Sequence, residues 1–201
     1  MSKVLDRRPI VVALAGPNGA GKTTFYRAFL QQSGLRFVNA DVLALELGIG
    51  AYAAAELAGE IRRQLVMQRE SFIFETVFSD PVGEKLKFLQ EAEQSGFTTV
   101  LFFMGVESAD ASDERVAMRV SQGGHDVPAE KLAARFSRTM NNLQQALAGL
   151  SNVRVYDNSD LGHPYRLVAL REDGGRIELY GPVPAWLCPL LPRSCSPCHL
   201  H

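Results

Sequence analysis

IVVALAGPNGAGKTT, residues 10–24, decides how the rest of the chain is read. Residues 9–15 are short, apolar and rich in β-branched side chains, as a strand buried on both faces is. Glycines interrupt the run, and residues 22–33 then predict a helix with Phe25, Phe29 and Leu30 on one face. Strand, loop and helix in this order frame the phosphate-binding pattern G-x-x-x-x-G-K-[ST], filled by Gly16, Gly21, Lys22 and Thr23. Such a loop turns backbone N–H groups toward phosphate oxygens, and the helix N-terminus adds a favourable dipole. On this reading Gly16, Pro17, Asn18, Gly19, Ala20, Gly21, Lys22, Thr23 and Thr24 hold the triphosphate of ATP (or GTP). Lys22 reaches the β- and γ-phosphates, and Thr23 ligates Mg²⁺. A lysine placed here has little structural purpose, which separates the pattern from a Gly-rich turn before an ordinary helix.

Working outward, apolar runs alternate with helical periodicity. RFVN (36–39), SFIFET (71–76), FTTVLFFMGV (97–106) and VRVYDN (153–158) predict strands. Helices are expected from Asp41 to Gly48, over 51–70 with Leu57, Ile61 and Leu65 four apart, over about 80–95, and over about 109–121 and 128–148. YRLVALRE and RIELYG, joined by DGG, predict a terminal hairpin. Alternation of this kind favours a three-layer α/β/α domain around a mainly parallel sheet. The expected organisation is one P-loop kinase domain over 1–182, with a helical lid at about 109–140. A Pro- and Cys-rich tail, 183–201, is expected to be flexible.

Composition narrows the classes. A chain of 201 residues suits one domain. A formal net charge of −1 gives no electrostatic reason for nucleic acid or membrane as partner. No apolar run approaches the ~20 residues of a membrane span, and the N-terminal run is too short for a secretory signal. Three cysteines, all in the last fourteen residues, argue against a disulfide framework. The expectation is a cytoplasmic protein. CSPCH (195–199) spells a haem-attachment pattern, and Cys195, Cys198, His199 and His201 are zinc-ligand types, but no fold around them supports either group.

Transporter ATPases, switches and small-molecule kinases all use this loop. The chain has no LSGGQ-like signature and no apolar strand ending in Asp-Glu, which a transporter motor needs. It has no N-K-x-D-like stretch for a GTP switch. A kinase needs a base at the acceptor hydroxyl and cations around the migrating phosphoryl group. Asp41 follows the second strand, at the end of the sheet where ligands bind, and is the base candidate; its structural alternative is the cap of the next helix. Asn39 is a weaker candidate beside it. Glu75 ends an apolar strand at the same edge, suited to a sugar hydroxyl or a Mg²⁺-bound water. Thr76 and Ser79 follow as substrate hydrogen-bonders.

Arginines occur in pairs: Arg62/Arg63, Arg115/Arg119 and Arg135/Arg138. Like charges four apart on a helix repel by a few tenths of a kcal/mol, which an anion between them reverses. Arg115, Arg119 and Arg135 flank QGGHDVP, a hinge-like loop carrying His125, as a lid closing over a triphosphate requires. Solvated helices with ordinary salt bridges to Asp113 and Glu114 are the alternative.

In order, AGPNGAGKTT, FVNADVLA, FIFETVFS, RVAMRVSQGGHDVPAEKLAARFSRTMNNL and VRVYDNS resemble the zeta toxin family in its short chromosomal form. The resemblance covers about residues 8–170. It implies an ATP- and Mg²⁺-dependent kinase of toxin–antitoxin systems, acting on the 3′-hydroxyl of UDP-N-acetylglucosamine, with a proteinaceous antitoxin as partner. By position it makes Lys22 the loop lysine, Asp41 the catalytic base, Glu75 the acidic contact to the sugar nucleotide and Arg115 the first lid arginine. His125 stands near the place of the family's second lid arginine, a cation that Arg119 or Arg135 could supply instead. Two other readings stay open: a kinase of an antibiotic or metabolite alcohol, and a nucleotide-binding interaction module.

Overall fold

The structure, a computed structural model, describes residues 3–112, 115, 129–192 and 195. Its sheet is built by the apolar runs. Strand β1 (Ile10–Ala15) is buried along its whole length. Its side chains alternate between two cores, as a period of two demands. Val11, Ala13 and Ala15 enter one; Ile10, Val12 and Leu14 enter the other. β3 (Phe72–Thr76) and β4 (Thr98–Gly105) do the same, with Phe72, Phe74, Leu101 and Phe103 on the first side and Ile73, Val100, Phe102 and Met104 on the second. Strands apolar on both faces require helices on both.

With β2 (Arg36–Val38), β5 (Val153–Asp157), β6 (Arg166–Arg171) and β7 (Glu178–Leu179), the sheet runs β2-β3-β1-β4-β5-β6-β7. The first five strands are parallel; β6 and β7 form the expected antiparallel hairpin. Helices α3 (Ala51–Met67), α4 (Glu84–Gln94) and α5 (Ala129–Gly149) contribute Leu65, Leu89 and Leu143 to the first core. α1 (Lys22–Phe25) contributes Phe25 to the second. This is the α/β/α P-loop kinase-like fold. Among the described residues no single helix is long and apolar enough to cross a membrane.

The structure differs from the sequence reading at several boundaries. The predicted helix over 22–33 is one α-turn followed by a π-helical segment, Tyr26–Leu30, and a 3₁₀ turn, Gln31–Ser33. Helix α2 (Ala40–Leu47) is capped by Asn39, not Asp41. Residues 109–112 and 115 are helical, while residues 113–114 and 116–128 of the expected lid, Arg119 and His125 among them, lie outside the described residues.

The tail also departs from expectation. Leu187 is fully buried and Leu191 nearly so, around a 3₁₀ turn at Cys188–Leu190. Trp186 packs beside Phe103, their ring centroids 6.3 Å apart, and occupies the space a side chain at Gly105 would take. Trp186, Leu187 and Leu191 thus place segment 183–192 against one edge of the core. Its Pro and Cys content pointed to a loose end, but its apolar residues have a surface to cover. The zinc and haem spellings fall mostly on residues 196–201, outside the described set, and among the described residues no group of three or more His, Cys, Asp or Glu could hold a metal.

Trp186 Nε1 also donates to Asp157 Oδ1 at 3.1 Å, joined by Ser159 Oγ at 2.6 Å, while Arg166 Nη2 donates to Oδ2 at 3.0 Å. Burial pushes the Asp157 carboxyl up, and the hydrogen bonds from Ser159, Trp186 and Arg166 together outweigh it, so it sits below the ordinary 3.8. A depressed carboxyl stabilises the fold fully above its unfolded value and loses that contribution as pH falls through its folded one. The difference in Tm between wild type and Asp157→Asn is therefore expected to be constant down to about pH 4 and to narrow below it. A gap that widens on acidification would contradict the assignment.

Candidate active site

The register brings the ends of the parallel strands to one edge. Ala15 lies beside Thr76 and Phe103, Val38 beside Phe74, and Gly105 beside Asp157. Whatever follows β1, β2, β3 and β5 therefore meets at this edge, where open α/β sheets bind ligands. Here Gly16–Thr24, Asn39, Asp41, Glu75 and Asn158 converge.

The phosphate loop is held from behind by side chains distant in sequence. Ser112 Oγ donates to Asn18 O at 2.6 Å, Asn158 Nδ2 to Ala20 O at 3.0 Å and Tyr165 Oη to Gly21 O at 3.0 Å. In a trans peptide the carbonyl and the following N–H point oppositely. The three anchors therefore aim the N–H groups of Gly19, Gly21 and Lys22 the other way, where an anion can collect them. Gly21 caps α1 at φ 85°, and an added Cβ would lie 2.8 Å from both Asn158 Nδ2 and Tyr165 Oη. Lys22 is 6% exposed, and its Nζ donates to the carbonyls of Gly16 and Pro17, 2.9 Å each. Its charge is thus already held within the loop.

The loop connects to the acceptor candidates through one carboxylate. Thr23 Oγ1 donates to Glu75, 2.9 Å from Oε2 and 3.1 Å from Oε1. Asn39 Nδ2 donates to the same Oε2 at 2.9 Å. On its other side, Asn39 Oδ1 accepts from Asp41 N at 2.8 Å and Val42 N at 3.3 Å, capping α2. Asn39 is extended, at φ −134° and ψ 122°, as a cap following a strand must be. Asp41 is left in the first helical turn, exposed, with no side-chain hydrogen bond among the described residues. The separation of 36 positions between Asn39 and Glu75 hid this link from the sequence; only the strand-end positions of both hinted at it.

Replacing Asn39 separates its two duties. Asn39→Ala loses the cap, about 0.5–2 kcal/mol, and also the bond to Glu75. Asn39→Ser keeps a capping oxygen and loses only the bond to Glu75. Thermal unfolding is expected to place Ser between wild type and Ala; equal losses for Ser and Ala would remove the capping role.

Around this line the other candidates divide. Arg115 donates from Nη1 to Asn158 O at 2.8 Å and from Nη2 to Ser159 O at 2.9 Å, beside the loop that anchors Ala20. Burial raises the Tyr165 phenol, against the lowering effects of a hydrogen bond with Thr24 and of the Arg115 charge, so these three groups are neighbours. Thr76 Oγ1 accepts from Phe78 N at 3.0 Å, an interaction internal to its own turn. That turn is pinned from α5: Thr139 Oγ1 donates to Val77 O, Asn142 Nδ2 to Phe78 O and Asp80 O, and Arg138 Nε to Ser79 O. Arg138 thus serves the β3–α4 loop. Arg135, half-buried on α5, adds no side-chain hydrogen bond among the described residues.

A family model described as AAA domain matches residues 11–141, from β1 into α5. No curated protein matches the sequence. The AvrRxo1-ORF1:-ORF2 complex with ATP is a similar solved structure, at a TM-score of 0.68 and 18% identity, over 88% of this chain and 62% of that one. The PezAT chromosomal toxin–antitoxin system of the human pathogen Streptococcus pneumoniae is similar at a TM-score of 0.56 and 17% identity, over 75% of this chain and 68% of that one. The Pnkp1/Rnl/Hen1 RNA repair complex is similar at 0.52 and 17%, over 69% and 46%. This chain therefore spans less than two thirds of the length of the AvrRxo1 chain it matches. At such identities the likeness is one of fold.

Proposed function

Since the chain belongs to the family described as AAA domain, whose model spans residues 11–141, we propose that its phosphate loop serves a phosphotransferase of the zeta toxin type. In this reading the donor is ATP, the acceptor a hydroxyl of a UDP-activated sugar such as UDP-N-acetylglucosamine, and a protein antitoxin a partner. The observation that carries it is the line Thr23–Glu75–Asn39, which joins the phosphate loop through two hydrogen-bonded side chains to the backbone N–H of Asp41, a residue whose own carboxylate is exposed. The ordered motifs of the zeta family and the similar fold of the PezAT system support the toxin assignment.

The Thr23 hydroxyl and the Glu75 carboxylate are hard oxygen donors, and that set fits Mg²⁺. Thr23 Oγ1 and the Glu75 carboxylate are the groups that would hold the ion, which would supply positive charge beside the phosphates. ATP with Mg²⁺ supplies the migrating phosphoryl group and neutralises part of its charge. The rest is work for the chain. The N–H groups of Gly19, Gly21 and Lys22 bind phosphate oxygens, and the Lys22 ammonium exchanges loop carbonyls for them. Asp41 orients the acceptor hydroxyl and takes its proton on a carboxylate oxygen. Arg115, with Arg119, His125 and Arg135 as lid candidates, places cationic charge over the transferring group. Thr76 and Glu75 edge the sugar side.

Incubation with γ-labelled ATP, Mg²⁺ and a panel of UDP-sugars, antibiotic alcohols and metabolite alcohols tests this reading. Label is expected in UDP-N-acetylglucosamine or another UDP-sugar. Label confined to a non-nucleotide alcohol would keep the kinase and overturn its acceptor. Slow hydrolysis with no labelled acceptor would point to an interaction module.

A further inference from the structure

A second group of cations lies away from the phosphate loop. Between α3 and α4 is a cavity of about 200 Å³, lined by Gly59, Arg62, Arg63, Glu84, Lys87 and Phe88, with Glu91 at its side. It shares no residue with Gly16–Thr24, Asn39, Asp41 or Glu75. Four of its charged groups, Arg63, Glu84, Lys87 and Glu91, have partners. Arg63 pairs with Glu60 at 2.7 Å, Lys87 with Glu91 at 3.7 Å, and Glu84 with Lys85 at 2.8 Å.

Arg62 is different. It is only 6% exposed, and its Nε is buried with no hydrogen-bond partner. Among the described residues no carboxylate lies within ion-pair distance of it. Its guanidinium lies over the rings of Phe74, 5.0 Å from the centroid, and Phe88, at 5.7 Å. Aromatic faces offset part of the cost of burying a cation but accept none of its directed N–H bonds. Burial lowers its pKa, yet a guanidinium stays protonated at any physiological pH. The charge of Glu84, on the same cavity wall, opposes that lowering but makes no ion pair with Arg62 among the described residues, so the buried Nε donor stays unmet beside the cavity.

Gly59 shapes the space. It lies inside a helix with ordinary backbone angles, where glycine is unfavourable relative to alanine. A Cβ there would sit 3.6 Å from Arg62 Nη2 and 3.6 Å from Arg63 Nη1. Two guanidinium tips therefore converge on the place where this residue has no side chain. A planar fork of N–H donors matches the oxygens of a carboxylate or phosphate.

We propose that the α3–α4 cavity is an oxyanion-binding site for the phosphate or carboxylate group of a small molecule, with Arg62 its main ligand and Arg63 its second. Phe88 supplies an apolar wall for the remainder of the ligand. This site is independent of the reading given for the phosphate loop.

The test uses the full-length Lys22→Ala chain, which removes the phosphate loop as a competing site, with inorganic phosphate in one arm and succinate in the other. The Arg Nε–Hε resonance that disappears in Arg62→Gln is followed by NMR. It is expected to shift and saturate with at least one of the two anions, and the tighter anion identifies the group. Gly59→Leu, which fills the cavity while keeping Arg62, is expected to weaken that binding about tenfold or more, the scale of a lost charge-assisted hydrogen bond. If neither anion shifts the resonance saturably, or if Gly59→Leu binds as tightly as the parent, the site does not exist.

Discussion

Asp41→Asn is expected to lower kcat by about 10²–10⁴-fold, the range a positioned general base contributes. The change should leave the protein folded. Asp41 is exposed and makes no side-chain hydrogen bond among the described residues, and Asn39 supplies the cap of α2 in its place. Only the favourable meeting of a carboxylate with a helix N-terminus is lost, about 0.3–1 kcal/mol. For a chain of this size that is a fall in Tm of about 1–4 °C. The KM for ATP should hardly move, because the substitution touches the acceptor side. A variant with unchanged kcat removes Asp41 from the base role. A variant that unfolds shows that the carboxylate has a structural duty the described contacts do not reveal.

The second large effect is structural. Gly16→Ala is expected to destabilise the protein by on the order of 4 kcal/mol, from a strained backbone angle together with overpacking. Gly16 has φ 142°, and a Cβ there would collide with the Met104 carbonyl on β4. That oxygen belongs to a central strand and cannot step aside as a side chain could. Gly34→Ala is the control. It also has a positive φ, 69°, but no atom within 4 Å of the added Cβ, so it should lose only about 1–2 kcal/mol. Thermal unfolding of the two variants separates strain from collision; equal losses would place the cost in the backbone angle alone.

The parts of this molecule that were legible in the sequence are local. Residues 10–24 announce strand, loop and helix because the apolar period, the glycines and the lysine lie within fifteen positions. Phe72–Thr76 declares both its burial and the half-buried end that carries Glu75. The illegible parts are contacts across the sheet. Ser112, Asn158 and Tyr165 reach the phosphate loop from 94, 138 and 144 residues away, and no spacing along the chain encodes that. Asn39 and Asp41 are both good capping residues, and the choice between them rests on where β2 stops. Because it stops at Val38, Asn39 is extended and takes the cap, which leaves the Asp41 carboxylate unused by the fold. At the tail, composition does not show which residues pack: prolines and cysteines surround Trp186, Leu187 and Leu191, which lie on the core. Arg62 and Arg63 read as one basic pair; only burial shows that Arg63 has a carboxylate partner and that Arg62 has two aromatic rings.

In the proposed function, Lys22, together with the hydrogen-bonded series Thr23, Glu75, Asn39 and Asp41, moves a phosphoryl group from ATP to a sugar-nucleotide hydroxyl. Mass spectrometry of UDP-N-acetylglucosamine after incubation with the protein, ATP and Mg²⁺ tests it most directly, with Lys22→Ala and Asp41→Asn run alongside. The sugar nucleotide is expected to gain the mass of one phosphoryl group with the wild-type chain and with neither variant on the same timescale. Unmodified UDP-N-acetylglucosamine with an active wild-type preparation, or equal modification by Asp41→Asn, would contradict it.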